Sequence, residues 1–409
     1  MQNINLQLLR QYSIKKPDAK MHLSFCDRLM LTSSLQQQQL ILFYNSLNSE
    51  IMKQILLSIV SASTLLFAAC TPTNITPTTG TTTNGTTGTT TAAVSATTTI
   101  TIKGKHIVTT CGDTIILKGV NYAPYGWGWN NSENLFPEIA KSGANSVRLV
   151  WYKTNSGPAY ANLALLDSAI GRCIRYKMIP ILELHDETCN NNGTSMVATA
   201  NWYTQTSVKN ILIKYQKWLI INPLNEAGYV MWNGNNATAL NAFKATYKTI
   251  ITNLRNAGLN MPLMLDASDC GQHLKVWKTI CTEMQTYDPK HNLIFSAHAY
   301  WSSYAGTAAA INTLLQDAST WNVPIVLGEV ANKQDDNNGN CTLSLDLTTT
   351  LQKCEQYKIG WLAWVWTADN CGSRQMTTNG NFNALTAYGN QVINTSPFGL
   401  KFAKRAKCL

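Results

Sequence analysis

Short apolar runs recur along the chain from residue 100 onward, and their spacing suggests the fold. The runs are apolar throughout, without strict alternation of apolar and polar positions, which is typical of parallel strands covered on both faces. We count eight strand candidates: IILKGVNYAP (115–124), NSVRLVWY (145–152), KMIPILELHDE (177–187), WLIINPLNEAG (218–228), PLMLDASDCG (262–271), NLIFSAHAYW (292–301), VPIVLGEVAN (323–332) and GWLAWVWTADN (360–370).

Segments with apolar residues at helical spacing separate most of these candidates. Gly143 and Gly258 follow two of the segments directly, as glycine often does where a helix ends. Eight strand–helix units between residues 100 and 409 predict an α/β protein with a (β/α)8 TIM barrel. A doubly wound open sheet is the alternative, and it is disfavoured because no glycine-rich phosphate loop follows the first strand.

The residues before the barrel carry a predicted export signal. Residues 52–70 read MKQILLSIVSASTLLFAAC, an apolar run from Ile55 to Ala69 that ends at Cys70. The run is shorter than the roughly 20 residues of a membrane-spanning helix, and it predicts a secretory signal peptide. The ending LFAAC is similar to a bacterial lipobox, so we expect lipidation of Cys70. The alternatives are a signal-anchor helix and cleavage near Ala69 without a lipid.

Composition divides the rest of the N-terminal region into two parts. Residues 1–51 lie upstream of the signal and show no clear periodicity, so we interpret them as a start codon assigned too early or as disordered chain. Residues 71–99 are mostly Thr with Gly, Pro and Asn, and such a tract cannot bury enough apolar surface to offset its ordering entropy. We therefore expect a disordered linker over 71–99 and the folded (β/α)8 domain over 100–409. The expected location is the bacterial outer membrane or cell surface, with membrane contact only through the lipid.

Charge and cysteine content narrow the possible partners. The formal net charge is +10, but no Lys/Arg block interleaves with aromatic residues, so nucleic acid is not an expected partner. The eleven cysteines form no CxxC pair, which disfavours a zinc ribbon. Their scatter suits an exported protein with some disulfides, whose pairing sequence alone does not determine.

Nearly every strand candidate ends in polar or aromatic residues. In a (β/α)8 barrel these ends converge on one face, where barrel enzymes hold their chemistry. The candidates are Arg148 and Trp151, then His185, Asp186 and Glu187, then Asn225 and Glu226, then His298, Tyr300 and Trp301, then Glu329, and finally Trp364, Trp366 and Asp369.

Two carboxylates in this predicted ring, Glu226 and Glu329, suggest glycoside hydrolysis. In a retaining glycosidase one carboxyl protonates the leaving oxygen while the other attacks the anomeric carbon and forms a covalent intermediate. Arg148 would keep the attacking carboxylate charged by hydrogen bonding. A single Glu at a strand end is more often a cap or an ion-pair partner, so the prediction depends on the joint pattern.

The order R…HD…NE…HxY…GE…W resembles glycoside hydrolase family 5 of clan A, in its bacterial β-mannanase and endoglucanase branch. The resemblance runs from about Gly119 to Phe398. It implies that Glu226 is the general acid/base, that Glu329 in LGEVA is the nucleophile, and that Arg148 supports the nucleophile.

The resemblance also implies substrate-binding roles for further residues at the strand ends. Asn225 would hydrogen-bond the sugar 2-hydroxyl, His298 and Tyr300 would flank the site, His185 would line the cleft, and Trp364, or less favourably Trp366, would stack on a sugar. Family members often have Pro or Trp after the acid/base, whereas Ala227 follows Glu226 here.

The resemblance implies an endo-β-1,4-glycanase that cleaves plant β-glycans. We favour β-mannan as the polysaccharide substrate, with cellulose as the alternative and a non-catalytic glycan-binding lipoprotein as a remote one. Residues 185–187, His-Asp-Glu, imitate a metal site, but such a cluster is more often a hydrogen-bonded cleft edge, and we expect no cofactor or metal. We also expect a monomer.

Overall fold

Eight parallel strands close into a barrel in a computed structural model that describes residues 99–124, 134–153 and 162–409. The predictions for residues 1–98, including the signal segment and Cys70, lie outside the described residues. The strands are β1 (Thr101–Lys103), β2 (His106–Val108), β3 (Thr114–Ile115), β4 (Lys118–Tyr122), β5 (Ser146–Trp151), β6 (Ile179–Leu184), β7 (Ile220–Asn222), β8 (Leu263–Asp266), β9 (Leu293–His298), β10 (Ile325–Val330), β11 (Lys333–Gln334), β12 (Leu343–Ser344) and β13 (Gly360–Ala363).

The barrel order is β10-β13-β4-β5-β6-β7-β8-β9, and every neighbouring pair is parallel. Each of the eight strands lies inside one of the apolar runs of the sequence, so the predicted (β/α)8 barrel is confirmed. An antiparallel sheet of β1, β2 and β3 precedes the barrel, and β11 pairs with β12 in a separate ribbon.

Helices lie between successive barrel strands, and the last α-helix follows the last strand, β13. They are α1 (Phe136–Lys141), α2 (Leu163–Arg175), α3 (Gly193–Ala200), α4 (Thr206–Lys214), α5 (Ala237–Asn256), α6 (Lys275–Tyr287), α7 (Ala308–Ala318), α8 (Leu347–Tyr357) and α9 (Ala387–Asn394). Among the described residues, no helix is both long and apolar enough to cross a membrane.

The longest helix, α5, shows how local sequence places these elements. Asn236 caps its first turn by accepting a hydrogen bond from the Ala239 backbone N–H at 3.0 Å. Phe243, Tyr247 and Ile250 follow at helical spacing and are buried against the barrel. The apolar stripe thus turns one face of α5 inward and leaves the opposite face to solvent.

Three disulfides join distant parts of the described chain. They are Cys111–Cys408, Cys189–Cys270 and Cys341–Cys371. Cys173, Cys281 and Cys354 are buried free thiols. The Cys189–Cys270 bridge links the loops that follow β6 and β8, at the carboxyl end of the barrel.

Candidate active site

Strand register brings the polar side chains of the barrel interior together. Asn121 on β4 is opposite Arg148 on β5, and Glu183 on β6 is opposite Asn222 on β7. All four side chains are fully buried. The barrel interior is therefore polar at this level, although the strands that form it are apolar in sequence.

Arg148 is the centre of this polar layer. Its guanidinium donates to five side-chain oxygens: Asn222 Oδ1 at 2.8 Å, Asn121 Oδ1 at 3.1 Å, Glu329 Oε1 at 3.0 Å, Asn225 Oδ1 at 2.7 Å and Asp266 Oδ2 at 3.3 Å. A planar guanidinium offers five N–H donors in a fixed fork, so this set of partners fixes its orientation. Burial lowers the pKa of Arg148, but the surrounding carboxylates more than compensate and raise it, so its charge is permanent.

Glu329 lies where the register of β10 is irregular. The pairing of β10 with β9 shifts between Leu327 and Glu329, and Glu329 then pairs with His298. Such a shift redirects a side chain, and here the Glu329 carboxylate meets two donors. Arg148 donates to its Oε1, and the Tyr300 hydroxyl donates to its Oε2 at 2.7 Å.

Glu226 follows β7 in a strained conformation. Its φ is 50°, in the left-handed region that non-glycine residues seldom adopt. A residue held there costs about 1–3 kcal/mol, and such strained residues cluster at active sites. The Glu226 backbone N–H donates to Asp266 Oδ2 at 3.3 Å, and its carboxylate Oε1 lies 2.7 Å from His298 Nδ1.

His298 lies between the two acidic residues and is fully buried. Its Nδ1 is 2.7 Å from Glu226 Oε1 and 3.5 Å from Glu329 Oε1. Its ring fits only because two glycines face it. A Cβ on Gly328 would come within 2.9 Å of His298 Nε2, and a Cβ on Gly271 would come within 2.9 Å of His298 Cγ.

Glu226, His298 and Glu329 each contribute a side-chain atom to a group whose members all lie within 4.8 Å of one another. The two carboxylates, 103 residues apart by their numbers in the chain, therefore approach to less than 4.8 Å. Retaining glycosidases place their two carboxyls about 5–5.5 Å apart, whereas inverting enzymes separate them by about 6.5–9.5 Å to admit a water. The closest approach of the two carboxylates here, below 4.8 Å, is nearer to the separation of the retaining class than to that of the inverting class.

Burial and neighbouring charges set the protonation of this centre. Burial by itself lowers the pKa of His298, but the Glu329 and Asp266 carboxylates raise it to about 10. Burial raises the pKa of Asp266, but His298 and Arg148 outweigh it and lower the value to about 2. At neutral pH the centre thus contains two cations, Arg148 and His298, and a permanently charged Asp266.

The two glutamates differ in their hydrogen-bond donors. Burial raises the pKa of the Glu329 carboxyl and the charge of Glu226 raises it further, while His298 and Arg148 act in the opposite direction. Burial also raises the pKa of Tyr300 far above its usual value, so the phenol stays a donor. Arg148 and Tyr300 donate to the two carboxylate oxygens of Glu329, whereas Glu226 Oε1 faces His298 Nδ1.

An open cavity of about 480 Å³ covers the carboxylate pair. Six predicted site residues line it: His185, Asn225, Glu226, Tyr300, Glu329 and Trp364. Arg148 and His298 lie beneath these residues and contact the carboxylates from the buried side. Eight of the predicted residues are thus brought together around one cavity.

Trp366 does not belong to this group, and the prediction that it stacks on a sugar is wrong. Its side chain is fully buried, and its indole N–H donates to the Gly380 carbonyl at 2.8 Å. Trp364, two residues earlier, lies at the cavity with its ring stacked on His185 at 5.7 Å between centroids. The Trp364 indole N–H donates to Asp369.

Sequence reasoning missed two sets of residues. The first consists of polar side chains inside the barrel: Asn121, Glu183, Asn222 and Asp266. Their signal was a polar residue inside or at the end of an apolar run. The second set lines the cavity from outside the barrel strands and has no signal in the sequence: Thr188, Gln334, Asp335, Asp336 and Arg374.

A closed (β/α)8 barrel with two close carboxyls at the carboxyl ends of β7 and β10 has the architecture of a glycoside hydrolase. The chain matches the family described as cellulase (glycosyl hydrolase family 5) over residues 108–370, more than half of its length. The chain therefore belongs to glycosyl hydrolase family 5 and is a glycoside hydrolase, as the sequence pattern predicted.

Each of two named relatives matches about 70% of this chain. The chain is 29% identical over 295 residues to a mannan endo-1,4-beta-mannosidase of Cellvibrio japonicus (strain Ueda107), a match that covers 70% of this chain but only 63% of that enzyme. It is 26% identical over 292 residues to a mannan endo-1,4-beta-mannosidase of Salipaludibacillus agaradhaerens, with 69% of this chain and 87% of that protein covered. The fold is similar to the crystal structure of beta-mannanase from Streptomyces thermolilacinus, with a TM-score of 0.65, 26% identity, and coverage of 76% of this chain and 99% of that one.

Proposed function

We propose that this glycoside hydrolase is an endo-β-1,4-mannanase that retains anomeric configuration. The observation that carries the mechanism is the approach of the Glu226 and Glu329 carboxylates to less than 4.8 Å at the edge of an open cavity. The support for mannan comes from the names of the relatives, both of which are mannan endo-1,4-beta-mannosidases.

In the first step the Glu329 carboxylate attacks the anomeric carbon from one face of the sugar. The bond between that carbon and the glycosidic oxygen breaks, and Glu226 gives its proton to the departing oxygen. The product is a glycosyl ester on Glu329 and a shortened chain with a free hydroxyl. Arg148 and Tyr300 hold the Glu329 oxygens, which orients the carboxylate for attack.

In the second step Glu226, now a carboxylate, takes a proton from water. The water oxygen bonds to the anomeric carbon from the face that the leaving group vacated, and the ester bond to Glu329 breaks. Two inversions give net retention. His298 Nδ1 lies 2.7 Å from Glu226 Oε1, which orients the Glu226 carboxylate for this proton transfer.

The remaining polar and aromatic groups bind the sugar. Asn225 accepts from Arg148 at 2.7 Å and donates to Thr188 Oγ1 at 2.9 Å, which orients its amide beside the site of cleavage. We assign it the contact with the sugar 2-hydroxyl. Trp364 and His185 form a stacked pair on the cavity wall and provide an apolar surface for a sugar face.

The second candidate is an endo-β-1,4-glucanase, which the family description as cellulase favours. Mannose and glucose differ at the 2-hydroxyl, so discrimination depends on the contacts around Asn225. The test is reducing-sugar release by the purified chain from galactomannan, glucomannan and carboxymethyl cellulose. We expect the greatest rate on mannan substrates. Proton NMR of the first products should show the β-anomer; initial formation of the α-anomer would contradict the retaining mechanism.

We also propose that the enzyme is exported, anchored through a lipid on Cys70, and monomeric. The apolar run over 55–69 before Cys70 and the Thr-rich tract after it support the anchor. The three disulfides support an oxidising compartment. Mass spectrometry of membrane-extracted protein should find a lipidated Cys70 at the new N-terminus, and Cys70→Ser should abolish the modification. An unmodified Cys70 in the mature chain would contradict the anchor.

A further inference from the structure

Three residues around the active-site cavity share an unusual backbone conformation. Cys189 has a φ of 55°, Cys270 a φ of 51° and Glu226 a φ of 50°, all in the left-handed region. None of them is glycine, so each holds a conformation that its own preferences oppose. Such strain persists only where the surrounding structure enforces it.

The chain after Glu226 lies between the two loops that the Cys189–Cys270 disulfide joins. On one side, Gly228 N–H donates to the Asn190 carbonyl at 2.8 Å, and the Tyr229 hydroxyl donates to the Cys189 carbonyl at 2.6 Å. On the other side, Asp269 N–H donates to the Gly228 carbonyl at 2.8 Å. The segment from Glu226 to Tyr229 is thus hydrogen-bonded to both loops at once.

The disulfide itself contacts the side chain of the acid/base, Glu226. Cys189 Sγ lies 3.6 Å from Glu226 Oε2, and both cysteines line the active-site cavity together with Glu226. The disulfide sulfur has no hydrogen to donate, so this is a packing contact that limits where the carboxyl can move. On its other oxygen Glu226 meets His298.

We propose that the Cys189–Cys270 disulfide is a positioning element for the acid/base Glu226. The bridge keeps the loops after β6 and β8 at a fixed separation. The loops hold the Glu226–Tyr229 segment in its strained conformation, and the sulfur restricts the carboxyl. The inference rests on the role proposed for Glu226, and it concerns proton transfer only, because the disulfide has no contact with Glu329 among the described hydrogen bonds and ion pairs.

A misplaced acid/base has a kinetic signature that distinguishes it from a general loss of structure. Cleavage of a polysaccharide requires a proton on the leaving oxygen, whereas 2,4-dinitrophenolate leaves as a stable anion without one. Azide attacks the glycosyl ester without a general base. Loss of the disulfide should therefore slow polysaccharide cleavage, spare formation of the ester from a dinitrophenyl glycoside, and make its turnover responsive to azide.

The test compares the wild-type chain with the double variant Cys189→Ser/Cys270→Ser. On the preferred polysaccharide, kcat should fall about 100-fold, the scale of a misplaced catalytic group. The first-turnover burst of dinitrophenolate from 2,4-dinitrophenyl β-mannobioside, or from the cellobioside if wild type prefers glucan, should stay within about threefold, because that step needs no proton transfer. Azide should raise steady-state release by the variant and not by wild type.

The matched control is Cys111→Ser/Cys408→Ser, which removes a disulfide with a sequence separation of 297 residues against 81. In the chain-entropy description, removing this disulfide should cost at least as much stability, because it closes the longer loop. It should not change the ratio of kcat on polysaccharide to the rate of the dinitrophenolate burst. An equal ratio for both double variants would overturn the inference. So would a Cys189→Ser/Cys270→Ser variant with wild-type polysaccharide activity, or one whose burst falls as far as its turnover.

A milder variant keeps the test decisive if the double variant fails to fold. Tyr229→Phe removes only the hydrogen bond to the Cys189 carbonyl and should shift the same ratio in the same direction, by a smaller factor. An unchanged ratio in that folded variant would overturn the inference. If the wild-type chain cleaves neither polysaccharides nor dinitrophenyl glycosides, the proposed function itself fails, which is distinct from failure of the disulfide's role.

Discussion

Arg148 Nη1 lies 3.0 Å from Glu329 Oε1, although 181 positions separate the two residues in the chain. Both side chains are buried, so the ion pair is weakly screened. Because Arg148 also binds three Asn side chains and Asp266, it holds the nucleophile within a rigid network and not merely beside a charge.

We expect Arg148→Lys to lower kcat/KM by at least about 100-fold, as for loss of an oriented electrostatic partner. A Lys ammonium keeps the charge but lacks the fork that meets several oxygens at once. The free energy of unfolding should also fall, by about 3 kcal/mol, because buried acceptors lose their donor. Steady-state kinetics and urea unfolding measure the two effects. The control is Arg175→Lys, an exposed position at the end of α2, which should change neither. Near-wild-type activity in Arg148→Lys would refute the importance of the fork.

Azide should distinguish the roles of the two glutamates. In Glu226→Ala the nucleophile remains, so azide should attack the glycosyl ester and give a β-glycosyl azide. In Glu329→Ala, azide should replace the missing carboxylate, attack the β-glycoside directly and give an α-glycosyl azide. In both variants the rate of polysaccharide hydrolysis should fall by several orders of magnitude, as expected when a covalent or acid/base group is removed.

The measurement is NMR of the azide products from a dinitrophenyl glycoside. The conservative variants Glu226→Gln and Glu329→Gln serve as controls for folding, because they keep the side-chain volume. The opposite assignment of anomers would exchange the two roles, and α-azide from both variants would exclude a covalent intermediate on Glu329.

Because of His298, the free energy of unfolding should fall as the pH rises into the alkaline range. Its pKa is raised to about 10 in the folded protein, against an ordinary value of 6.5. The folded state therefore binds more protons than the unfolded state between these values. The stabilisation is fully present below pH 6.5 and is lost as pH rises through about 10, with a limiting slope of about 1.4 kcal/mol per pH unit.

Urea unfolding from pH 6.5 to 9 should show this decline, and His298→Gln should remove most of the slope whatever its effect on absolute stability. His291→Gln is a matched control on the surface, since His291 is exposed, and it should leave the slope unchanged. A slope that persists in His298→Gln would assign the effect to another group.

Trp364 and Trp366 should respond differently to substitution. Trp364→Ala should raise KM at least about fivefold, because an aromatic platform contributes about 1 kcal/mol beyond its buried area. Trp366→Phe should leave KM unchanged and reduce the free energy of unfolding by about 1–3 kcal/mol, because the Gly380 carbonyl loses its buried donor. Kinetics on the polysaccharide and urea unfolding separate the two results. A raised KM in Trp366→Phe would contradict the burial of that side chain.

The positions of the barrel strands followed from sequence because strands buried on both faces are apolar along their whole length, and all eight runs contain a strand. The carboxyl ends of parallel strands share one face, so the residues that follow these runs converge. Glu226 and Glu329 could be paired on that ground before any coordinate was known. The family assignment depended on the same ordered set of strand ends.

Strand register determines where individual side chains point, which the apolar pattern does not predict. Asp266 and Asn222 lie within or at the end of strands, and only closure of the barrel directs them onto Arg148. Trp364 and Trp366 are both aromatic and two residues apart, so sequence does not distinguish them; the fold places one at the cavity and the other in the core.

By itself, the sequence determined the number and place of the barrel strands, the chemical types at their ends and the pairing of the two acids. Tertiary structure decided the carboxylate separation, the Cys189–Cys270 pairing and which tryptophan reaches the cavity. The physical reason is how much of the chain sets each property. Hydrophobic patterning is written along a few neighbouring residues, whereas a distance between two side chains depends on strand register, backbone strain and loop packing from the whole barrel.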